Sequence, residues 1–386
     1  MRVLKRLVLV TEIIAPYRVP VFNALAKHPG IDLHVIFLSE TDPTLRQWNV
    51  PRDEIRFSHE VLSSYRKRLA GYHVLVNWGV TAALERARPD AILCGGYNYI
   101  ASWECLRFAQ LQRIPFLLWV ESTARDQRHG RSLVESFKRA FLRRCSGFVV
   151  PGKASREYLR SFGVAEHLIF TAPNAVDVAF YSRQAETVRA EQESRRRGLN
   201  VPQRYFLYLG RLVPEKGVFD LISAYGTLSS QTRTNLGLVM VGDGPARAEL
   251  ENRAAAFGQN GVRFAGFAQR DAASAYYGLA DAFILPTHSD TWGLVVNEAM
   301  ACGLPVIVSS AAGCVSDLVD EGWNGRVTQP GNISQLAVAM ENLVQNEALR
   351  VEMGKHSRQR IAGFTPEACA AGIAAAAEII GVARRG

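Results

Sequence analysis

The stretch that decides the reading runs Ala282-Phe283-Ile284-Leu285-Pro286-Thr287-His288-Ser289-Asp290-Thr291-Trp292-Gly293-Leu294-Val295-Val296-Asn297-Glu298-Ala299-Met300-Ala301-Cys302-Gly303-Leu304-Pro305-Val306-Ile307-Val308-Ser309. The apolar run at 282–285 has the length of a buried strand, and a polar loop, one short helix and a second buried strand at 306–308 follow it. Asp290 stands where a helix N-cap belongs, and Gly303 and Pro305 stand just past the helix end. The amides of Thr291, Trp292, Gly293 and Leu294 are then expected to lack intrahelical acceptors. With the positive end of the helix dipole they would make a site for an anion. Glu298 lies four residues after Leu294 on the same stripe, one turn deeper. A carboxylate there is a poor partner for phosphate and a good acceptor for hydroxyls, such as those of a ribose.

Upstream, Gly210-Arg211-Leu212-Val213-Pro214-Glu215-Lys216-Gly217 follows another apolar run and opens a helix whose apolar face is Val218, Leu221, Ile222 and Tyr225. Loops at the carboxyl ends of parallel strands are where open sheets bind ligands. Arg211 and Lys216 are therefore expected to aim two cations at the crevice that receives the amides after Asp290. Val241-Gly242-Asp243-Gly244-Pro245 is a partial glycine motif with Arg247 where a dinucleotide fingerprint needs its third glycine. It reads as a turn lining the same pocket, through Gly242 and Gly244, with Pro245 at the first helical position.

Across the chain, apolar runs at 7–10, 33–37, 91–93, 116–119 and 147–150, then at 205–209, 238–241, 262–264, 282–285 and 306–308, alternate with amphipathic stretches. That alternation predicts an α/β protein with doubly wound parallel sheets. The 386 residues suffice for two cores. The expected division is a first domain over 1–175, a polar connection over 176–204, a second domain over 205–364 and an alanine-rich final helix over 365–386 that packs back toward the first.

Charge is unevenly spread. Residues 1–170 carry 25 Lys and Arg against 15 Asp and Glu, while the remainder is close to neutral. An anionic partner is therefore expected for one domain only. The basic clusters, Arg66-Lys67-Arg68 and Lys138-Arg139 with Arg143-Arg144, lack the recognition motifs and stacking aromatics of nucleic-acid binders. An anionic membrane surface fits them better, alongside a plain solvated face. The cysteines (Cys94, Cys105, Cys145, Cys302, Cys314 and Cys369) are scattered without a Cys-x-x-Cys pair, which argues against zinc and disulfides and fits a reducing cytoplasm. No histidine shows metal-ligand spacing. No apolar run approaches the roughly 20 residues that cross a bilayer. The start of the chain resembles a signal peptide, but its apolar core is short and Glu12 and Pro16 follow, so a first strand is expected there.

The 286–309 stretch resembles the signature of retaining glycosyltransferases of family 4, the GT-B type with two Rossmann-like domains facing a central cleft. That family carries Glu-x-x-Gly-x-x-x-x-Glu-Ala-Met-Ala-x-Gly-x-Pro-Val. The spacing and tail match here, with Asp290, one methylene shorter, in place of the first Glu. The Gly-Arg-x-x-x-x-Lys-Gly pattern at 210–217, beginning at Gly210, is similar too. The resemblance implies that Arg211 and Lys216 hold a nucleotide diphosphate, that Asp290 orients donor-sugar hydroxyls and that Glu298 binds the ribose. In the first half, Pro16-Tyr17-Arg18 resembles a loop of members that elongate bacterial surface glycans, which makes Tyr17 and Arg18 candidates for touching acceptor or donor phosphate. Gly96, in Gly95-Gly96-Tyr97-Asn98, is expected in a ligand-approach loop. Glu121 is expected at a strand end facing the cleft, where relatives place a His or Asp nearby.

The implied activity is retaining transfer of a hexose from a nucleotide-diphosphate sugar to a glycan or lipid-linked acceptor, in bacterial cell-surface polysaccharide or lipopolysaccharide synthesis. Without an Asp-x-Asp pair, no metal and no other cofactor are expected. The implied location is the cytoplasm, with peripheral attachment to the inner membrane face. A nucleotide-sugar epimerase of the same fold remains an alternative. A nicotinamide oxidoreductase would need the complete glycine fingerprint and an acidic ribose partner. A non-catalytic binding module would lose Arg211, Lys216 and Glu298, all of which are present.

Overall fold

The computed structural model describes residues 6–42, 47–69, 72–124, 132–258 and 261–383, so the first residues of the signal-like start and the end of the alanine-rich tail lie outside the described residues. Internal contacts divide the chain into two units, Met1–Ala175 with Thr365–Gly386, and Val176–Phe364.

The first unit holds β1 (Arg6–Thr11), β2 (Asp32–Phe37), β3 (Ser58–Val61), β4 (Ser64–Leu69), β5 (Tyr72–Asn77), β6 (Ala91–Cys94), β7 (Phe116–Trp119), β8 (Gly147–Val150) and β9 (Ile169–Thr171). Seven of these form one parallel sheet in the order β3-β2-β1-β6-β7-β8-β9, and β4 and β5 pair separately as an antiparallel ribbon. Its central strands read as unbroken apolar runs because both faces are covered. Leu7 and Leu9 of β1 enter one core, and Val8 and Val10 enter the other. The first core is closed by the helices Val19–Ala26 and Pro366–Ala383, the latter burying Cys369, Ile373, Ala376 and Ile380 at helical spacing. The second is closed by the helices Val80–Ala87, Ile100–Gln112, Ser132–Leu142 and Lys153–Ser161.

The second unit holds β10 (Tyr205–Leu209), β11 (Gly237–Val241), β12 (Val262–Gly266), β13 (Ala282–Leu285), β14 (Val306–Ser309) and β15 (Gly325–Thr328), parallel in the order β12-β11-β10-β13-β14-β15. The stretch 176–204, expected as a connection, forms the helices Val178–Ala190 and Gln192–Leu199. Tyr181, Ala185 and Val188 of the first are buried in this unit's core.

The strands absent from the sequence reading are chiefly marginal. β3, β9 and β15 all lie at sheet edges, where one side is open and a polar run such as Gly325-Arg326-Val327-Thr328 suffices. In each sheet the strand order reverses once, between β1 and β6 and between β10 and β13. Helices leave neighbouring strands toward opposite faces there, which opens a crevice at the carboxyl ends of the strands.

Candidate functional site

The reversal between β10 and β13 puts the loop that begins at Gly210 beside the loop that begins at Pro286. The two are laced together by backbone. His288 N donates to Glu215 O (2.9 Å), and a Cβ on Gly217, whose φ is +66°, would stand 2.0 Å from Pro286 O. The turn after β11 closes from the other side, with Leu212 N donating to Asp243 O (2.9 Å) and Ala246 N to Leu212 O (3.1 Å). Gly242, at φ +139°, leaves no room for a side chain, since a Cβ would lie 1.8 Å from Gly210 O. A Cβ on Gly244, at φ +159°, would stand 2.4 Å from Leu212 O. The glycines of both motifs are therefore needed for backbone to meet backbone. The helix after this turn starts at Arg247, with Ala246 as its N-cap, so Pro245 lies outside the helix rather than at its first position.

On this frame Lys216 ends a short 3-10 turn, Pro214–Lys216. Its Nζ donates to Asp290 Oδ2 at 2.6 Å, and the two side chains are 17% and 19% exposed. Arg211 is exposed and makes no ion pair among the described residues. Tyr208, in β10, is buried. Its hydroxyl donates to Arg211 O (2.8 Å), and burial, with the negative charge of Asp290 added, pushes its pKa well up despite the opposing charge of Arg211.

The helix beyond the Asp290 loop differs from the sequence reading. It spans Leu294–Ala301, with Gly293 as N-cap at φ 95°. Asp290 is instead a turn residue, its Oδ1 accepting from Trp292 N at 3.2 Å. The Trp292 amide is thus engaged, and its indole is buried with Nε1 donating to Asn297 Oδ1 (2.9 Å). The cause is Gly293: a left-handed residue starts the helix three positions later than an Asp cap would. The amides of Gly293 and Leu294 keep the outward role, without an acceptor among the described residues, while Thr291 is an exposed loop residue. Both oxygens of Asp290 are therefore committed, one to a backbone amide and one to an ammonium.

Glu298 sits half-buried one turn along this helix. Tyr277, from the helix Arg270–Leu279, donates to its Oε2 at 2.8 Å, and Tyr181, from Val178–Ala190, also hydrogen-bonds to it. Burial holds the Glu298 carboxyl above its ordinary pKa, against those two hydroxyls and the positive charge of Arg270. No motif pointed to Tyr181 or Tyr277. They reach Glu298 from helices distant in the chain, and a tyrosine on a helix ordinarily reads as core. Among the described residues no cluster of three or more His, Cys, Asp or Glu could hold a metal ion. All six cysteines are free, with burial pushing the Cys94 and Cys369 thiols up to about 12.

The first unit has its own polar cluster. Arg18 donates to Asn174 Oδ1 (3.1 Å) and to Glu121, and its guanidinium lies 4.3 Å from the centre of the Trp119 ring and 5.5 Å from that of Tyr17. Burial works against the charge on Arg18, but Glu121 outweighs it and the pKa is raised. Tyr17 also meets Trp48 edge-on at 5.9 Å. Gly96 lies in the loop after β6, its amide donating to Cys94 O (3.0 Å). Arg18 and Glu121 are thus brought together, and the Trp119 platform beneath them carried no motif.

Residues 190–360 match the family model described as Glycosyl transferases group 1, and residues 21–180 match Glycosyltransferase Family 4. Similar proteins include the alpha-D-kanosaminyltransferase of Streptomyces kanamyceticus, 31% identical over 44% of this chain and 45% of that protein. Another is the glycogen synthase of Mycobacterium tuberculosis, 27% identical over 71% and 64%. The chain spans about half the length of the curated relatives it matches first. Among solved structures, Anabaena HepE in complex with UDP and glucose aligns over 96% of this chain and 98% of its own, with a TM-score of 0.73 at 20% identity. The galactosyltransferase WaaB of the lipopolysaccharide outer core aligns over 96% and 98%, with a TM-score of 0.69 at 15% identity. With both halves matched by family models and this parallel-sheet pair aligned end to end, the chain belongs to glycosyltransferase family 4, the group 1 glycosyl transferases, and has the GT-B fold.

Proposed function

We propose that the protein transfers a hexose, with retention and without a metal or other cofactor, from a nucleotide-diphosphate sugar to a glycan or lipid-linked acceptor in bacterial surface-polysaccharide or lipopolysaccharide synthesis. The observation that supports this reading is the Lys216–Asp290 pair joining the loops that follow β10 and β13, with the exposed Arg211 on the first loop and the Gly293 and Leu294 amides on the second. Cleaving the bond between the anomeric carbon and the diphosphate leaves negative charge on the departing phosphate. Fixed cations and peptide dipoles placed there in advance stabilise that charge. Arg211 is available as the molecule stands. Lys216 is held ready by Asp290, and a diphosphate would share or take over that ammonium. Retention follows from attack on the same face of the sugar, with the leaving oxygen accepting the acceptor's proton. Asp290 then has its part through Lys216 and the loop, and through whatever sugar hydroxyl its remaining lone pairs can reach. Glu298 accepts from two tyrosines and keeps lone pairs for ribose hydroxyls.

UDP is the first nucleotide to test, because the related structures include complexes with UDP, with UDP-glucose and with a UDP-fluoroglucose. Thermal unfolding is measured with UDP, GDP and ADP and with their sugars. A binder stabilises by RT ln(1 + [L]/Kd), about 2.7 kcal/mol at a hundredfold excess over Kd. A panel in which no nucleotide moves the transition removes the donor-site assignment. Donor incubated without acceptor separates transfer from epimerisation, since only an epimerase returns an isomerised nucleotide sugar.

A further inference from the structure

The buried tyrosines of the second unit do not all find the same kind of acceptor. A phenol taken out of water needs a partner for its hydroxyl. Tyr205 donates to Tyr276 O (2.7 Å), Tyr208 to Arg211 O (2.8 Å) and Tyr225 to Leu236 O (2.8 Å), all of them backbone carbonyls. Tyr181 and Tyr277 are also buried, and both turn to one carboxylate, that of Glu298. Tyr277 donates to its Oε2 at 2.8 Å, with Val295 O farther off at 3.4 Å.

A carboxylate is a costly acceptor to bury, and a carbonyl would have served either phenol. What Glu298 adds is spare acceptor capacity on a side chain that is not fully enclosed. An ionised carboxylate offers about four lone-pair sites, and the two phenols leave some of them free. Glu298 lies one turn into the helix Leu294–Ala301, just after the loop that carries Asp290. The tyrosines reach it from two other helices, Val178–Ala190 and Arg270–Leu279, and their rings meet edge-on at 6.2 Å. Tyr277 is fixed in turn against Phe283 of β13, with 5.7 Å between ring centres. The phenols are therefore held by the core, and they hold in one orientation a glutamate that would otherwise rotate about its side-chain bonds.

We propose that Tyr181 and Tyr277 are positioning residues for nucleotide recognition: their hydroxyls aim the free lone pairs of Glu298 at the ribose, and the protein thereby selects ribonucleotides over their deoxy forms. The proposal rests on the donor reading above and adds the selectivity of its ribose contact. A ribose hydroxyl then donates to an acceptor already in place, and binding energy is not spent on ordering the side chain. A deoxyribose leaves that acceptor without the donor for which it is set. Both phenols, with the positive charge of Arg270, also favour the charged carboxylate that accepts such bonds, against the burial that opposes it.

Dissociation constants are measured by calorimetry for UDP, 2′-deoxy-UDP and 3′-deoxy-UDP, and for the matching GDP and ADP sets. The proteins are the parent, Tyr277→Phe, Tyr181→Phe and the double variant. Phenylalanine keeps each ring and removes only the hydroxyl, and unfolding midpoints record that the second unit stays folded. The parent is expected to bind one ribonucleotide about ten- to a hundredfold tighter than at least one of its deoxy forms. Each single variant should lose about two- to tenfold for that ribonucleotide and little for the deoxy form, and the double variant should bring the two within about threefold of each other. Tyrosines that only fill the core would weaken both nucleotides alike. The inference is overturned by variants that keep the parental ratio, or by a parent that binds ribo and deoxy forms equally. In either case nucleotide is still bound, so the diphosphate site stands. A parent that binds no nucleotide overturns the donor reading, and this inference with it.

Discussion

Replacing Lys216 with alanine separates a structural from a chemical role for the central ion pair. Lys216 Nζ is 2.6 Å from Asp290 Oδ2, and both side chains are less than one-fifth exposed. An exposed pair contributes about 0–1 kcal/mol, and breaking a buried one costs about 3–5 kcal/mol. Asp290 would keep its bond from Trp292 N and some access to water. The stability loss should therefore fall near the low end, about 1–2 kcal/mol, or about 2–8 °C in the unfolding midpoint of a unit this size. The same change removes a charged donor from the departing diphosphate, an effect of about 2–4 kcal/mol, or 10²–10³ in rate. Two measurements on one preparation decide: thermal unfolding with and without UDP, and release of UDP from a UDP-sugar with acceptor present. The expected result is a folded variant, slightly less stable, whose UDP-induced shift is reduced and whose turnover has collapsed. Lys216→Arg should recover part of both. A variant that loses the predicted stability yet releases UDP at the parental rate would refute the diphosphate role and leave Lys216 as a tether for the Asp290 loop.

Three further outcomes follow from the same geometry. Asp290→Glu should retain at least about tenfold more activity than Asp290→Ala, because a longer carboxylate can still pair with Lys216 whereas alanine frees both Lys216 and the Trp292 amide; equal rates in the two variants would remove any role for the charge. Glu298 has a raised pKa in the folded state, so the folded protein holds its proton to higher pH than the unfolded chain, and its charged form costs stability as pH rises through the folded value. Glu298→Gln removes that cost, so its midpoint relative to the parent should rise between pH 4 and pH 7 on a carboxylate scale; a flat difference across the range would show that the two tyrosines offset the burial. Gly242→Ala forces a Cβ to 1.8 Å from Gly210 O and should destabilise the second unit by about 3–5 kcal/mol. A parental midpoint would mean that the turn relaxes freely.

Much of this protein is legible without coordinates, for an identifiable reason. The central strands of a doubly covered sheet must be apolar on both faces, so β1, β10 and β13 stand out as unbroken runs. Gly210, Gly242, Gly244 and Gly293 mark the site because backbone geometry there admits little else, and local constraints of that kind are written in single residues. Edge strands carry no such requirement, which is why β3, β9 and β15 give no comparable signal, and β4 and β5 pair as a ribbon outside both parallel sheets, where no doubly covered apolar run is needed.

What the amino-acid order determined by itself is the layer architecture, the two glycine-bounded loops and the residue types that carry charge into them. What only the tertiary structure decided is whom those charges meet. The pairing of Lys216 with Asp290, the start of the helix at Leu294 rather than after Asp290, the tyrosines on Glu298 and the clasp of Glu121 and Asn174 on Arg18 all join residues far apart in the chain or depend on one backbone torsion. Spacing along a strand or helix is periodic and can be counted. Contacts between loops depend on the reversal of strand order, which no local pattern encodes.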